Sequence, residues 1–342
     1  MVLMGQEDCT LTSRTETAPF TLLAVVQGGR LQYEALLLMA SLKARAPDSA
    51  VRVVLAEPVL NDAWTEDPSI ADAETRQMLV DLGTEIVPFD AHPFGARYPH
   101  GNKIAALSIL PEGEPFLFLD TDTLIQDDPL GVPFDFDRPG ASARVSGTWP
   151  VPDLYGPEIG DIWKSLYDRA GLDFESSLDL SQPEDYWRRY LYFNAGYFYY
   201  RCPRDFGALY RELALMVEND PPPELDGQAL YPWLDQITLP LVIHALGGGR
   251  DSLAPGYLDG SVTCHYRTLP LLYAREADET VALLEEICAP NKLKKLLKPH
   301  EPIRKLVYQG GGAKARRLFK GRRDLPEDMM RKRLRNHGLW LR

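Results

Sequence analysis

The chain has 342 residues, 45% hydrophobic and 25% charged, proportions that let a soluble domain bury a full core without staples. Its four cysteines (Cys9, Cys202, Cys264 and Cys288) contain no C-x-x-C pair, which excludes a zinc ribbon or a disulfide scaffold and fits reduced thiols. The net charge of -12 excludes a broad nucleic-acid-binding face, but it is unevenly spread: residues 291–342 hold 17 Lys and Arg against 4 Asp and Glu, leaving 20 basic and 45 acidic residues before them.

Met1 to Ala18 is polar and acidic, the wrong character for a signal peptide. No stretch reaches the roughly 18 to 20 apolar residues that a membrane span needs. The expected location is therefore the cytoplasm, with peripheral attachment at the inner face of the membrane left open. The first apolar run, Phe20 to Val26, is strand-sized. Leu31 to Arg45 carries a helical apolar face, and Ala50 to Leu55 is a second strand. Asp72 to Leu82 reads as helix, Glu85 to Phe89 as strand, Asn102 to Leu110 as helix and Pro115 to Leu119 as strand. This alternation predicts an α/β fold with a mostly parallel, doubly wound sheet between helices.

The middle of the chain changes character. Val132 to Asp161 is rich in Pro, Gly and Asp and is expected to form loops with isolated strands. Ile162 to Ala170 is helical, Tyr190 to Arg201 an aromatic strand, and Pro203 to Val217 a helix with proline at its favoured start. Trp233 to Leu246 is helical with an expected kink at Pro240, and Val262 to Tyr266 is a late strand. Gly310-Gly-Gly-Ala313 reads as a hinge before a last basic helix. The expected division is a catalytic domain over 19–290 and a basic helical tail over 291–342. That tail could meet an anionic lipid or acceptor, or simply neutralise the acidic body.

The strongest chemical signal is Phe116-Leu-Phe-Leu-Asp120-Thr-Asp122. A continuous apolar run is how a buried parallel strand reads, and ligands in open α/β sheets bind beyond the carboxyl ends of strands. Two carboxylates there are costly unless a cation lies between them, and a divalent ion shared with substrate phosphates would fit. The alternative is a pair of solvated turn aspartates. His265, on the late strand, is either a third ligand or a histidine packed among aromatics; as a ligand it suits Mn²⁺ better than Mg²⁺. Lys103 lies near a helix start, where its charge is poorly placed unless a phosphate is near.

The order Asp120-Thr-Asp122, Phe193-Asn-Ala-Gly196, Asp235-Gln236, His265-Tyr266 resembles GT-A glycosyltransferases of the family 8 type. Gly101-Asn102-Lys103-Ile104 is similar too, and the resemblance spans Phe20 to Leu272. It implies the GT-A fold and transfer of a sugar from a nucleotide-diphosphate sugar, foremost a UDP-sugar, to a saccharide, glycolipid or protein acceptor. By the same resemblance Asp120, Asp122 and His265 hold Mn²⁺ (or Mg²⁺), Asp120 lies near the donor ribose, and Lys103 reaches the diphosphate or the donor sugar. Asn194 and Gly196 line the sugar pocket, and Asp235 and Gln236 face the transferred sugar and the acceptor. Gln27, Gly28 and Tyr33 fall where the family places the base. Two departures stand out. The family's acidic residue after the first strand is replaced within Gln27-Gly-Gly-Arg-Leu-Gln-Tyr33. A late G-x-x-K-P-W run is replaced by Arg267-Thr-Leu-Pro270, which makes Arg267 the candidate phosphate-binding charge. The competing functions are a sugar-phosphate nucleotidyltransferase, for which Gln27-Gly-Gly-Arg30 is a pale match to the Gly-rich loop, and an inactive nucleotide-sugar-binding scaffold. Dehydrogenase, P-loop NTPase and serine hydrolase motifs are absent.

Overall fold

A computed structural model describes residues 20–143 and 148–341. The N-terminal segment with Cys9, the start of the expected catalytic domain at residue 19, and Arg342 lie outside the described residues. Among the described residues there are eight strands: β1 (Thr21–Val25), β2 (Arg52–Pro58), β3 (Thr84–Phe89), β4 (Phe116–Leu119), β5 (Thr123–Ile125), β6 (Gly140–Ser142), β7 (Asn194–Tyr200) and β8 (Thr263–His265). The helices of the first two thirds are α1 (Arg30–Arg45), α2 (Ala73–Asp81), α3 (Asn102–Ala105), α4 (Ile159–Ala170), α5 (Pro203–Asn219) and α6 (Leu234–Ala245). Beyond β8 come α7 (Leu269–Arg275), α8 (Asp278–Cys288), α9 (Asn291–Leu297), α10 (Glu301–Ile303), α11 (Gly311–Leu318) and α12 (Glu327–Asn336).

The main sheet has the order β3-β2-β1-β4-β7-β6. The first four strands are parallel, and β7 and β6 join antiparallel. This is the mostly parallel sheet flanked by helices that the GT-A resemblance implied. Period-two alternation sends each strand's side chains to opposite layers. From β4, Leu117 and Leu119 enter the layer with α1, α8 and the C-terminal helices, while Phe116 and Phe118 enter the layer with α5 and α6. Phe118 stacks on Phe198 of β7 at 4.6 Å between ring centroids. β4 is therefore buried on both faces, as its unbroken apolar run required.

Helix α6 runs through Pro240 as one element. The C-terminal helices do not hang from a hinge. Gly310 is left-handed at φ 73 and starts α11, and Gly311 and Gly312 are buried within that helix. A Cβ on Gly312 would collide with the ring of Tyr273 in α7, so the glycines serve close packing rather than flexibility. Leu293, Leu297, Ile303, Phe319, Met330 and Leu334 share one apolar cluster with α1 and α8. The basic residues of this region are partly spent on the acidic body: Lys295 pairs with Glu74, and Arg316 and Arg323 both reach Asp278.

Candidate active site

The carboxyl end of β4 delivers Asp120-Thr121-Asp122, and the neighbouring strands fix where these side chains lie. The backbone N–H of Asp120 donates to the Gly196 carbonyl of β7 at 2.9 Å. β5 then pairs antiparallel with β8 so that Thr123 lies opposite His265. The Tyr266 N–H donates to the Asp122 carbonyl at 3.0 Å and closes this small ladder. His265 is thereby brought to two aspartates about 140 positions before it in sequence. One ligand atom each of Asp120, Asp122 and His265 lies within 4.8 Å of the others. His265 Nε2 is 3.1 Å from an Asp122 oxygen and 4.0 Å from one of Asp120.

Gly196 is what allows the imidazole to sit there. A Cβ at that position would collide with His265 Nδ1 and would meet Asn194 Oδ1 at 2.8 Å. The Asn194 side chain accepts from the Gly196 N–H at 2.8 Å and so shapes the same strand start. Two carboxylates and one imidazole within this distance of one another are a donor set that fits a divalent ion. Burial pushes the His265 pKa down, but Asp122 beside it outweighs this and the net direction is up. For Asp122 burial pushes up, and His265 outweighs it, so the net direction is down. Those directions describe an ion pair; ligation requires the imidazole to be neutral, so metal binding would release its proton.

Lys103 on α3 is buried, and its Nζ is 2.9 Å from Asp120 and 3.4 Å from Asp235. It also donates to the Ala195 carbonyl at 2.9 Å. Burial lowers its pKa, yet Asp120 and then Asp235 outweigh that, and the ammonium is stabilised. Asp235, 2% exposed, accepts from the Tyr98 hydroxyl at 2.8 Å. The Gln236 side-chain oxygen accepts from the Tyr192 hydroxyl at 3.1 Å.

Two cavities flank this cluster. One, of about 580 Å³, is lined by Lys103, Asp120, Asn194, Asp235, Gln236 and His265, and α12 contributes Glu327 and Arg331 to its wall. The other, of about 380 Å³, holds Arg30, Glu34, Asp122, Tyr266, His300 and Leu341. Arg267 and His100 border both. Arg267 has a left-handed backbone, φ 62, and its guanidinium donates to Glu327 at 3.2 Å. Glu327 also receives Arg275 and Arg331.

Of the residues singled out in the sequence, Asp120, Asp122, His265, Lys103, Asn194, Asp235, Gln236 and Arg267 line these cavities, and Gly196 lies against the His265 ring. Gln27 and Gly28 open instead on a neighbouring cleft with Trp64 and Pro68. Tyr33 stacks on His300 at 4.8 Å, so one face of its ring is covered by the C-terminal region. Sequence reasoning missed Arg30, Glu34, Tyr98, His300, Glu327 and Arg331. Only Arg30 and Glu34 carried a signal, an i,i+4 opposite-charge pair directly after the first strand. Glu34 is buried, and its carboxyl is pushed up to about 8, by desolvation first and Asp122 next, against Arg30 and Thr121.

The model of the Rhodobacterales glycosyltransferase domain matches residues 22–247, which takes in β1 through α6 and both aspartates of the cluster. The chain belongs to this glycosyltransferase family. No curated protein matches it. Among solved structures, this Rhodobacterales-type glycosyltransferase is similar to an active-site mutant of LgtC, with 17% identity, 65% of this chain and 70% of that chain covered, and a TM-score of 0.39. A second structure, the galactosyltransferase LgtC in complex with donor and acceptor sugar analogs, matches at 18% identity, with the same coverage and a TM-score of 0.38. The glycosyltransferase GlyE of Streptococcus pneumoniae TIGR4 matches at 13% identity, covering 69% of this chain and 46% of that one, with a TM-score of 0.37.

Proposed function

We propose that this glycosyltransferase is metal-dependent and moves a sugar from a nucleotide-diphosphate sugar, a UDP-sugar first among them, to a saccharide, glycolipid or protein acceptor. The observation that carries this reading is the convergence of Asp120, Asp122 and His265 at the carboxyl end of β4, between two cavities. In the reading, those three residues hold Mn²⁺ or Mg²⁺, which neutralises charge developing on the leaving diphosphate. Asp122 faces the smaller cavity, which takes the nucleotide; Asp120 and His265 face the larger one, which takes the sugars. Arg30 and Arg267 bring positive charge to the phosphates. Lys103 fixes Asp120 and Asp235 in one geometry, so that neither carboxylate has to reorganise during transfer. Asn194 and Gly196 shape the donor-sugar side. Asp235 and Gln236, pinned by Tyr98 and Tyr192, face the transferred sugar and its acceptor.

Residues 19–290 are proposed as the catalytic unit and 291–342 as an extension docked on it. A cytoplasmic location belongs to the same reading, as does contact of the extension's basic face with anionic lipid. No described helix is long and apolar enough to cross a membrane. Sedimentation of the full chain with anionic vesicles, absent with neutral ones, is the expected result for that contact.

The central test is turnover of a panel of nucleotide-sugars with Mn²⁺, Mg²⁺ or EDTA. Metal-stimulated release of nucleoside diphosphate from at least one donor is expected. Equal turnover in EDTA, or pyrophosphate release from a sugar phosphate and a nucleoside triphosphate, would overturn the reading.

A further inference from the structure

Glu34 does not touch the three candidate metal ligands, yet it grips the residue between two of them. Its Oε2 accepts from the Thr121 hydroxyl at 3.1 Å, and Thr121 is 2% exposed. Its Oε1 accepts from Arg30 Nη1 at 2.8 Å. The Glu34 side chain is 9% exposed and that of Arg30 is 49% exposed. A chain of contacts therefore runs from a half-exposed guanidinium on one cavity, through a buried carboxyl on α1, to the turn that carries Asp120 and Asp122.

The fold alone does not call for this carboxyl. Glu34 is followed on α1 by buried Ala35, Leu36, Leu37 and Leu38, and it sits close enough to Asp122 to be repelled by it. Burying a carboxyl beside Asp122 is a cost to the fold, so stability does not explain an acid at this position. A turn with two mutually repelling carboxylates does need an external hold if both oxygens are to point at one spot. Groups behind metal ligands supply that hold in many sites, and losing one weakens metal affinity about 10- to 100-fold.

We infer that Glu34 is a positioning residue, which, oriented by Arg30, clamps Thr121 and thereby sets the spacing of the Asp120 and Asp122 carboxylates for a divalent cation. The inference rests on the metal-dependent reading above. It extends the machinery to α1, a helix in which the sequence pointed only to Tyr33.

The test is direct Mn²⁺ binding to the full chain, followed by electron paramagnetic resonance of free Mn²⁺, with no donor present. Wild type, Asp122→Asn, Glu34→Ala, Thr121→Val, Thr121→Ser and the Glu34→Ala/Thr121→Val double variant are compared, each checked for a native thermal transition. Wild type should bind, and Asp122→Asn should not. Glu34→Ala and Thr121→Val should each weaken Mn²⁺ about tenfold, the double variant should be no weaker than either single one, and Thr121→Ser should restore binding. If Glu34→Ala does not fold, the Thr121→Val and Thr121→Ser pair decides alone. Wild-type-like affinity in Thr121→Val, or Thr121→Ser as weak as Thr121→Val, overturns the positioning role while leaving the metal reading standing. Absence of any difference between wild type and Asp122→Asn overturns the metal reading and this inference with it.

Discussion

The two walls of the candidate active site are built in opposite ways. The sheet wall draws Asp120 and Asp122, one residue apart, from one strand end and is dominated by carboxylates, with Lys103 buried among them. The C-terminal wall gathers Arg267, His300, Glu327, Arg331 and Leu341 from a long stretch of chain and is rich in arginine. The first is anchored by β4, which is buried on both faces. The second is held by helix packing and by three arginines converging on Glu327. The contrast is one of charge and construction: carboxylates set by strand pairing on the sheet side, and arginines tied to one glutamate on the helical side.

Perturbing the sheet wall should have the largest effect. Asp122→Asn should lower Mn²⁺-dependent donor turnover by about 10²- to 10³-fold, the scale of losing one preorganised electrostatic partner, with little change in unfolding temperature. A stable fold with full turnover would remove the sheet wall from the chemistry. Gly196→Ala comes next. Its Cβ must displace the His265 ring, so Mn²⁺ affinity should fall about 10- to 100-fold, measured by titration calorimetry. Unchanged affinity would show that the imidazole is not needed.

The C-terminal wall should respond through stability first. Gly312→Ala would overpack against Tyr273 and should cost about 1–3 kcal/mol in urea unfolding. No loss would mean that α11 can move away from α7 freely. Glu327→Gln should cost about 1–2 kcal/mol at neutral pH, since three guanidiniums lose a charged acceptor. Burial raises the Glu327 pKa, but Arg267, Arg331 and Arg275 outweigh it and the net direction is down. A depressed carboxyl contributes stability above its unfolded pKa, near 4.3, and loses it as pH falls through the folded value. Wild type and Glu327→Gln should therefore converge in stability as pH drops from about 5 towards 3. A gap that stays constant over that range would show that the carboxylate is not what holds the arginines.

Most of the fold was legible because its signals are local. The apolar runs of β1, β2 and β4, the capping aspartate of α2 at Asp72 and the proline opening α5 each report on a few neighbouring residues. Asp120, Asp122 and His265 were legible as residue types beside a strand end. Their convergence was expected only through the family resemblance, since it depends on β5 pairing with β8 across about 140 residues. Gly310 to Ala313 was misread as a hinge because glycine-rich sequence looks alike whether the glycines face water or an aromatic ring. Tyr98 was missed for a related reason: a buried polar side chain leaves no periodic trace, and its partner Asp235 is distant in sequence. The Arg30 and Glu34 pair reads in sequence as an ordinary solvated helix pair, and only the fold buries its carboxyl. The base-side residues Gln27, Gly28 and Tyr33 were singled out by the family resemblance; Gln27 and Gly28 line a cleft beside the site, and Tyr33 stacks on His300, which borders the smaller cavity.

The small ladder of β5 and β8 has a further consequence. Because side chains along a strand point alternately to opposite sides, sliding β8 by a single residue would present Cys264 or Tyr266 where the imidazole now stands. The loop that precedes this strand, from Leu246 to Val262, can then drift in length and composition over evolutionary time only as long as the pairing frame is conserved. An insertion there is harmless or ruinous according to whether Thr123 still meets His265.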